Sequence, residues 1–239
     1  MALPKISTPF YETKLPSTGE ALKYRPFLVK EEKLLLMAME GGKQSEISNA
    51  LRQIINNCTD GAVDVDNLPM FDVEFLFLQL RIKSIEEVAK IQVKCEHCGE
   101  VTNASIDLKK VKVHFPKKKV DFRIQLNESI GVTMKYPTLG VVKESPEEGD
   151  AQALFELISS CIDNIYDEEQ IYNDFTKDEV NEFIENLPQE QFKKISDFFE
   201  NMPKLQHDLN WTCPKCGEKN SVRLSGLQDF FESASLTTT

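Results

Sequence analysis

The sequence predicts an α+β protein: a helical N-terminal part and an acidic helical insertion arranged around a split, zinc-ribbon-like pair of β-hairpins. Three observations carry that reading. Apolar residues recur at helical spacing through residues 29–84 and again through 148–199. Alternating, strand-like stretches occupy 86–95, 101–115, 204–213 and 219–227. Those stretches flank two copies of one short turn, Cys-x-x-Cys-Gly-Glu, at 95–100 and 213–218. A chain of 239 residues, 41% hydrophobic and 28% charged, is long and apolar enough to bury a real core.

Residues 1–27 read as an extended arm. They hold Pro4, Pro9, Pro16 and Pro26 and a turn signal at PSTGE. The apolar residues Phe10, Tyr11, Leu15, Tyr24 and Phe27 predict that the arm packs on its own domain or on a neighbouring subunit. Helices follow through 28–84. VKEEKLLLMAME (29–40) is stopped by Gly41-Gly42, and SEISNALRQIINNC puts Ile47, Leu51, Ile54, Ile55 and Cys58 on one face. MFDVEFLFLQLRIKS (70–84) is densely apolar, as a central buried helix is, and Pro69 suits its start.

The period then changes. EEVAKIQVKC and VTNASIDLKKVKVHF read as two strands around the first cysteine turn, and DFRIQL with IGVTMKYP as a hairpin across Asn127–Ser129. This β-rich part is placed at 85–142. From Glu148 to Phe199 the reading is helical again: an amphipathic DAQALFELISSCI, then TKDEVNEFIENL opened by a Thr176–Glu179 capping box, then PQEQFKKISDFFE after Pro188. The acidic insertion is placed at 143–203, with KESPEEGD (143–150) as the best boundary, the second cysteine hairpin at 204–230 and a frayed tail at 231–239.

Net charge is −11, unevenly distributed: residues 144–200 carry 17 acidic residues against three lysines. That balance argues against nucleic acid as a partner. The one basic stretch, LKKVKVHFPKKKV (108–120) with six lysines, reads as a solvated strand edge. No apolar run is long enough to span a bilayer, so no membrane role is expected. The opening residues lack the basic-then-apolar pattern of a secretory signal, so the expectation is a cytosolic protein without structural disulfides.

Six cysteines follow two patterns. Cys58 and Cys161 sit on apolar helix faces and read as small buried hydrophobes. Cys95, Cys98, Cys213 and Cys216 form the two repeated turns, in which two intervening residues let both sulfurs reach one ion at about 2.3 Å. Gly99 and Gly217 supply the left-handed backbone that tightens each turn. The predicted cofactor is one structural zinc held by all four thiolates, a closed shell with no open position for chemistry. Two other readings stand beside it: thioredoxin-like redox chemistry, and two separate reduced pairs without metal. His97, His114 and His207 read as surface or packing residues, and Trp211 as an aromatic that packs in the core or on the turn. Zinc at such a site supplies about 10 kcal/mol or more of folding free energy.

A catalytic kit is not legible. The sequence has no phosphate-cradling glycine loop, no Gly-x-Ser-x-Gly elbow and no His-Glu-x-x-His helix, and its three histidines leave little for acid–base work. The carboxylates of 144–200 fall at the spacing of a solvated helix face. The expectation is a non-enzymatic protein that works through contacts.

The words YRPFLVKEEK (24–33), within LPSTGEALKYRPFLVKEEKLLLMAME (15–40), and LPMFDVEFLFLQLRIKS (68–84) carry a likeness, with KYPT (135–138) as a third point. The chain resembles the baseplate hub proteins of T-even-like contractile-tailed bacteriophages, a family of small hub subunits and hub-assembly factors. The resemblance implies other phage baseplate hub proteins as partners and a place of action in the host bacterial cytoplasm during assembly or in the virion tail baseplate. It carries over no catalytic residues and leaves the oligomeric state open. The alternative is a zinc-ribbon nucleic-acid-binding or transcription-accessory protein, which requires a basic face beside the metal.

Overall fold

The computed structural model describes residues 7–117, 120–144 and 151–226. The boundary segment at 145–150, two lysines of the basic stretch (118–119) and the tail beyond 226 lie outside them. Among the described residues the architecture is mixed α+β, with seven α-helices and small antiparallel sheets around three apolar clusters.

The first cluster is helical. The segment expected as an extended arm, described from residue 7 onward, folds back on itself: β1 (Tyr11–Lys14) pairs antiparallel with β2 (Ala21–Tyr24). The turn closes through Gly19 N–H to Leu15 C=O at 2.8 Å, with Gly19 at φ +74°. Leu15, Leu22, Tyr24 and Phe27 are buried in the protein's own core. The physical reason is polar as well as apolar: the Ser17 N–H and hydroxyl both donate to the buried carboxylate of Asp72.

Three helices complete this cluster. Helix α1 (Val29–Gly41) ends on Gly42, whose φ of +69° makes the left-handed stop. Helix α2 (Gln44–Cys58) buries Leu51, Ile54, Ile55 and Cys58, as its periodicity predicts. Helix α3 (Met70–Ser84) is apolar on every side because it serves two cores. Val73, Leu76, Phe77 and Leu80 face the helical cluster, while Leu78 and Ile82 face the second one.

The second cluster is built by β3 (Val88–Lys94), β4 (Val101–Asp107), β5 (Lys112–His114), β10 (Lys204–Thr212) and β11 (Lys219–Ser225). Strands β3 and β4 form one hairpin; β10 pairs with β11 on one side and with β5 on the other. The expectation of a single strand across 101–115 is therefore corrected. A 3-10 turn at Leu108–Lys110, capped by Asp107 accepting the Lys109 N–H at 3.1 Å, ends β4 and sends the chain to a different sheet. Ala104, Ile106 and Leu108 point inward with period two, but the next inward residue is Val111. That change of parity is incompatible with one continuous strand. The described lysines of this region are solvated as expected, with Lys112 on the sheet's edge strand and Lys109 in an exposed ion pair with Glu87.

The third cluster joins a four-stranded sheet to helices. Strands β6 (Arg123–Gln125) and β7 (Gly131–Met134) form the expected hairpin, with Asn127 accepting the N–H groups of Ser129 and Ile130 across the turn. After α4 (Leu139–Glu144) and α5 (Ala151–Ser160), the chain does not stay helical. Strands β8 (Ile162–Tyr166) and β9 (Ile171–Tyr172) extend the sheet in the order β6-β7-β8-β9. This corrects the purely helical reading of 148–199. IDNIY is rich in β-branched and aromatic residues, and Asp167 makes the turn by accepting the N–H groups of Glu169 and Gln170. The hairpin β6–β7 thus shares its core with residues of the acidic segment rather than with the cysteine hairpins. Helix α6 (Lys177–Glu185) begins with the Thr176–Glu179 capping box, and α7 (Gln189–Glu200) follows Pro188. Both bury one apolar face, through Val180, Ile184, Ile195 and Phe198, and turn their carboxylates outward.

A buried ion pair pins the start of α1. Glu31 is 1% exposed and accepts from Arg25 at 3.0 Å and from the Leu28 N–H at 2.8 Å. Burial pushes its carboxyl up, but the hydrogen bonds from Arg25 and Leu28 together outweigh it and leave Glu31 below the ordinary carboxylate range. The resulting stability is complete above the unfolded value of about 4.3 and is lost as pH falls through the lower native value. Glu31→Gln is expected to cost about 2 kcal/mol near neutral pH by urea denaturation. The gap to the unsubstituted protein should narrow as pH drops below about 4.

Candidate metal centre

Two hairpin tips make the site, and each forms by the same local rules. At the end of the β3–β4 ladder, the Cys95 N–H donates to the Glu100 carbonyl at 2.8 Å and the Gly99 N–H to the Cys95 carbonyl at 2.9 Å. At the end of β10–β11, Cys213 N–H donates to Glu218 and Gly217 N–H to Cys213, both at 2.9 Å. Gly99 at φ +72° and Gly217 at φ +76° supply the left-handed step that any other residue would resist. The repeated sequence thus folds into a repeated backbone.

The shared second cluster brings the tips together. Ile91, Val93 and Ile106 of one hairpin and Leu209 and Leu224 of the other are buried in it, and Trp211 packs against it. The four predicted residues, Cys95, Cys98, Cys213 and Cys216, consequently lie with all their sulfurs within 4.8 Å of one another. Cys95 and Cys216 stand 3.7 Å apart, and Cys98 and Cys213 3.6 Å apart. A tetrahedral ion with bonds of about 2.3 Å requires sulfur–sulfur edges of about 3.8 Å. A disulfide requires about 2.05 Å, and all six cysteines are free. The donor set therefore fits a four-thiolate metal shell, and the two pairs lie side by side rather than apart.

Electrostatics in the cluster are uneven. Cys95 accepts hydrogen bonds from the N–H groups of Cys98 and His97, which hold its thiol down at about 6. The N–H groups of Cys216 and Lys215 hold Cys213 below its ordinary value in the same way. Cys216 accepts from the Glu218 N–H, yet desolvation and the other three sulfurs keep it up at about 12. The first cysteine of each turn is buried and the second exposed, so the cluster is closed at its base and reaches solvent at its tip. An ion pair crosses between the turns, from Lys215 to Glu100 at 2.8 Å.

The remaining sequence candidates lie elsewhere. His97 is exposed inside its turn, His114 ends the edge strand β5, and His207 lies in β10; none joins the cluster. Cys58 is buried beneath Arg25, with its thiol pushed up to about 11 by burial. Cys161 is buried in the third cluster and pushed up to about 12. One residue at the site went unnoticed in the sequence: Asn220, four positions past Cys216, whose Oδ1 accepts the Glu96 N–H of the opposite turn at 3.1 Å. The only signal for it was a polar residue at a position where an alternating strand faces inward.

The family model described as T4 bacteriophage base plate protein matches residues 8–232. No curated protein and no solved structure matches the chain.

No atom lies within 4 Å of a side chain added at Gly217, so a substitution there tests the backbone alone. Gly217→Ala is expected to cost about 1 kcal/mol in chemical denaturation, because an L-residue must be held in the left-handed region.

Proposed function

The chain belongs to the T4 bacteriophage base plate protein family, and we propose that it serves there as a non-enzymatic hub component or hub-assembly factor, held together by a structural zinc. The observation that carries this reading is the extent of the match: it spans residues 8–232 and so includes both cysteine turns and the chain between them. The match covers nearly the whole chain rather than one short segment. Its partners are other baseplate hub proteins, met in the host cytoplasm during assembly or in the tail baseplate itself. The acidic faces of α6 and α7 are the surfaces we assign to those contacts.

The cofactor reading rests on the chemistry of the donors. Four sulfurs with separations near a tetrahedral edge, and no histidine or carboxylate among them, suit zinc and leave no position for a substrate. Zinc bound there would supply folding free energy and tie chain segments 115 positions apart. The charges flanking the turns, Glu96, Glu100 and Glu218 against Lys94, Lys215 and Lys219, offer no net basic face for nucleic acid.

Metal analysis of the purified protein should give one zinc per chain, and Cys95→Ser or Cys213→Ser should abolish its retention. Stoichiometric metal that survives either substitution would refute the shared site. For the hub assignment, mass spectrometry of purified phage particles separates a resident subunit from an assembly factor. Pull-downs with baseplate proteins should weaken when Asp178, Glu182 and Glu185 are changed together to Lys. Binding that is indifferent to this charge reversal would remove the acidic helices from the interface.

A further inference from the structure

Asn220 is 7% exposed and sits on β11 opposite Trp211. Its side chain makes contacts that no other residue at the site combines. Oδ1 accepts the N–H of Glu96, which lies between the cysteines of the opposite turn, at 3.1 Å. Nδ2 donates to the Glu218 carbonyl of its own turn at 3.0 Å. A carboxamide carries both N–H donors and a carbonyl acceptor, and these two contacts use one of each.

The two turns differ where Asn220 acts. Cys95-Glu96-His97-Cys98 aligns with Cys213-Pro214-Lys215-Cys216. Glu96 has an N–H that needs a partner; Pro214 has none. The position four past the second cysteine is Asn220 on one hairpin and Thr102 on the other. A carboxamide is therefore present on the one strand that faces a turn with an N–H to satisfy. The pseudo-symmetric halves are made complementary at this point rather than identical.

We propose that Asn220 is a positioning residue for the metal, keying the first cysteine turn onto the second. This rests on the metal reading above. Four thiolates around one dication leave a net negative cluster, and each N–H donated to sulfur offsets part of that charge. The backbone supplies such donors within each turn; Asn220, from across the hairpins, holds the first turn in the register that aims them at the shared site.

The test compares the unsubstituted protein with Asn220→Asp, Asn220→Ala and Asn210→Asp. The last changes an exposed residue of the neighbouring strand β10 and is the control. Asn220→Asp keeps an oxygen for the Glu96 N–H but replaces the donor to the Glu218 carbonyl with a carboxylate oxygen. Circular dichroism verifies folding, and Asn220→Ala serves the comparison if the aspartate variant does not fold. In competition with a zinc chelator, the Asn220 variant is expected to lose about tenfold or more in zinc affinity, and the control nothing. With cobalt in place of zinc, the sulfur-to-metal charge-transfer band should shift in Asn220→Ala, a change that loss of packing alone would not produce. If the unsubstituted protein binds zinc and cobalt, but the Asn220 variant matches it in affinity and in spectrum, this inference is overturned and the metal reading stands. If the unsubstituted protein binds neither ion, both are overturned.

Discussion

The two cysteine hairpins share a single apolar core, and the rest of the arrangement follows from that constraint. Ile91, Val93, Ala104 and Ile106 on one hairpin and Leu205, Leu209 and Leu224 on the other leave water together. Each hairpin alone is two strands with one apolar face, which is marginal in water. Joined, and backed by Leu78 and Ile82 of α3, they form a slab that fixes the distance between their tips. Helix α3 in turn connects this slab to the helical cluster, since its other face carries Val73, Leu76, Phe77 and Leu80.

Bringing the tips together creates a charge problem. Four sulfurs lie within 4.8 Å, and in the protein alone some thiols are driven low by backbone N–H groups while another is driven high by its neighbours. Like charges at such separations cannot all ionise without a cation. A dication resolves the conflict, which is the physical case for metal here. Backbone donors in each turn offset part of the same charge, and a Lys215–Glu100 ion pair and the Asn220–Glu96 hydrogen bond hold the two turns together.

The third cluster, with α6 and α7 over the β6–β9 sheet, turns carboxylates outward on exposed helix faces. Rings join it to helix α3: Tyr136 packs edge-on against Phe71 at 5.2 Å between centroids and stacks with Phe198 at 5.9 Å. The acidic helix faces are thus fixed relative to α3 through these rings.

Local rules written in the residues were enough to read much of this. Glycine stops, proline starts, the Thr176 capping box and the period of α2 depend on neighbours within a few positions, and they appear where the sequence placed them. The four cysteines were legible for the same reason, since each pair is set by a six-residue turn. Tertiary structure decided what depends on remote partners. IDNIY became a strand because β7 offered it an edge, and the stretch after Asp107 left its sheet because β10 offered β5 another. The N-terminal segment became a hairpin in its own core because Asp72, 55 positions away, bonds its turn. Spacing alone could make each cysteine turn, but only packing of the two hairpins into one core could place all four sulfurs around one point.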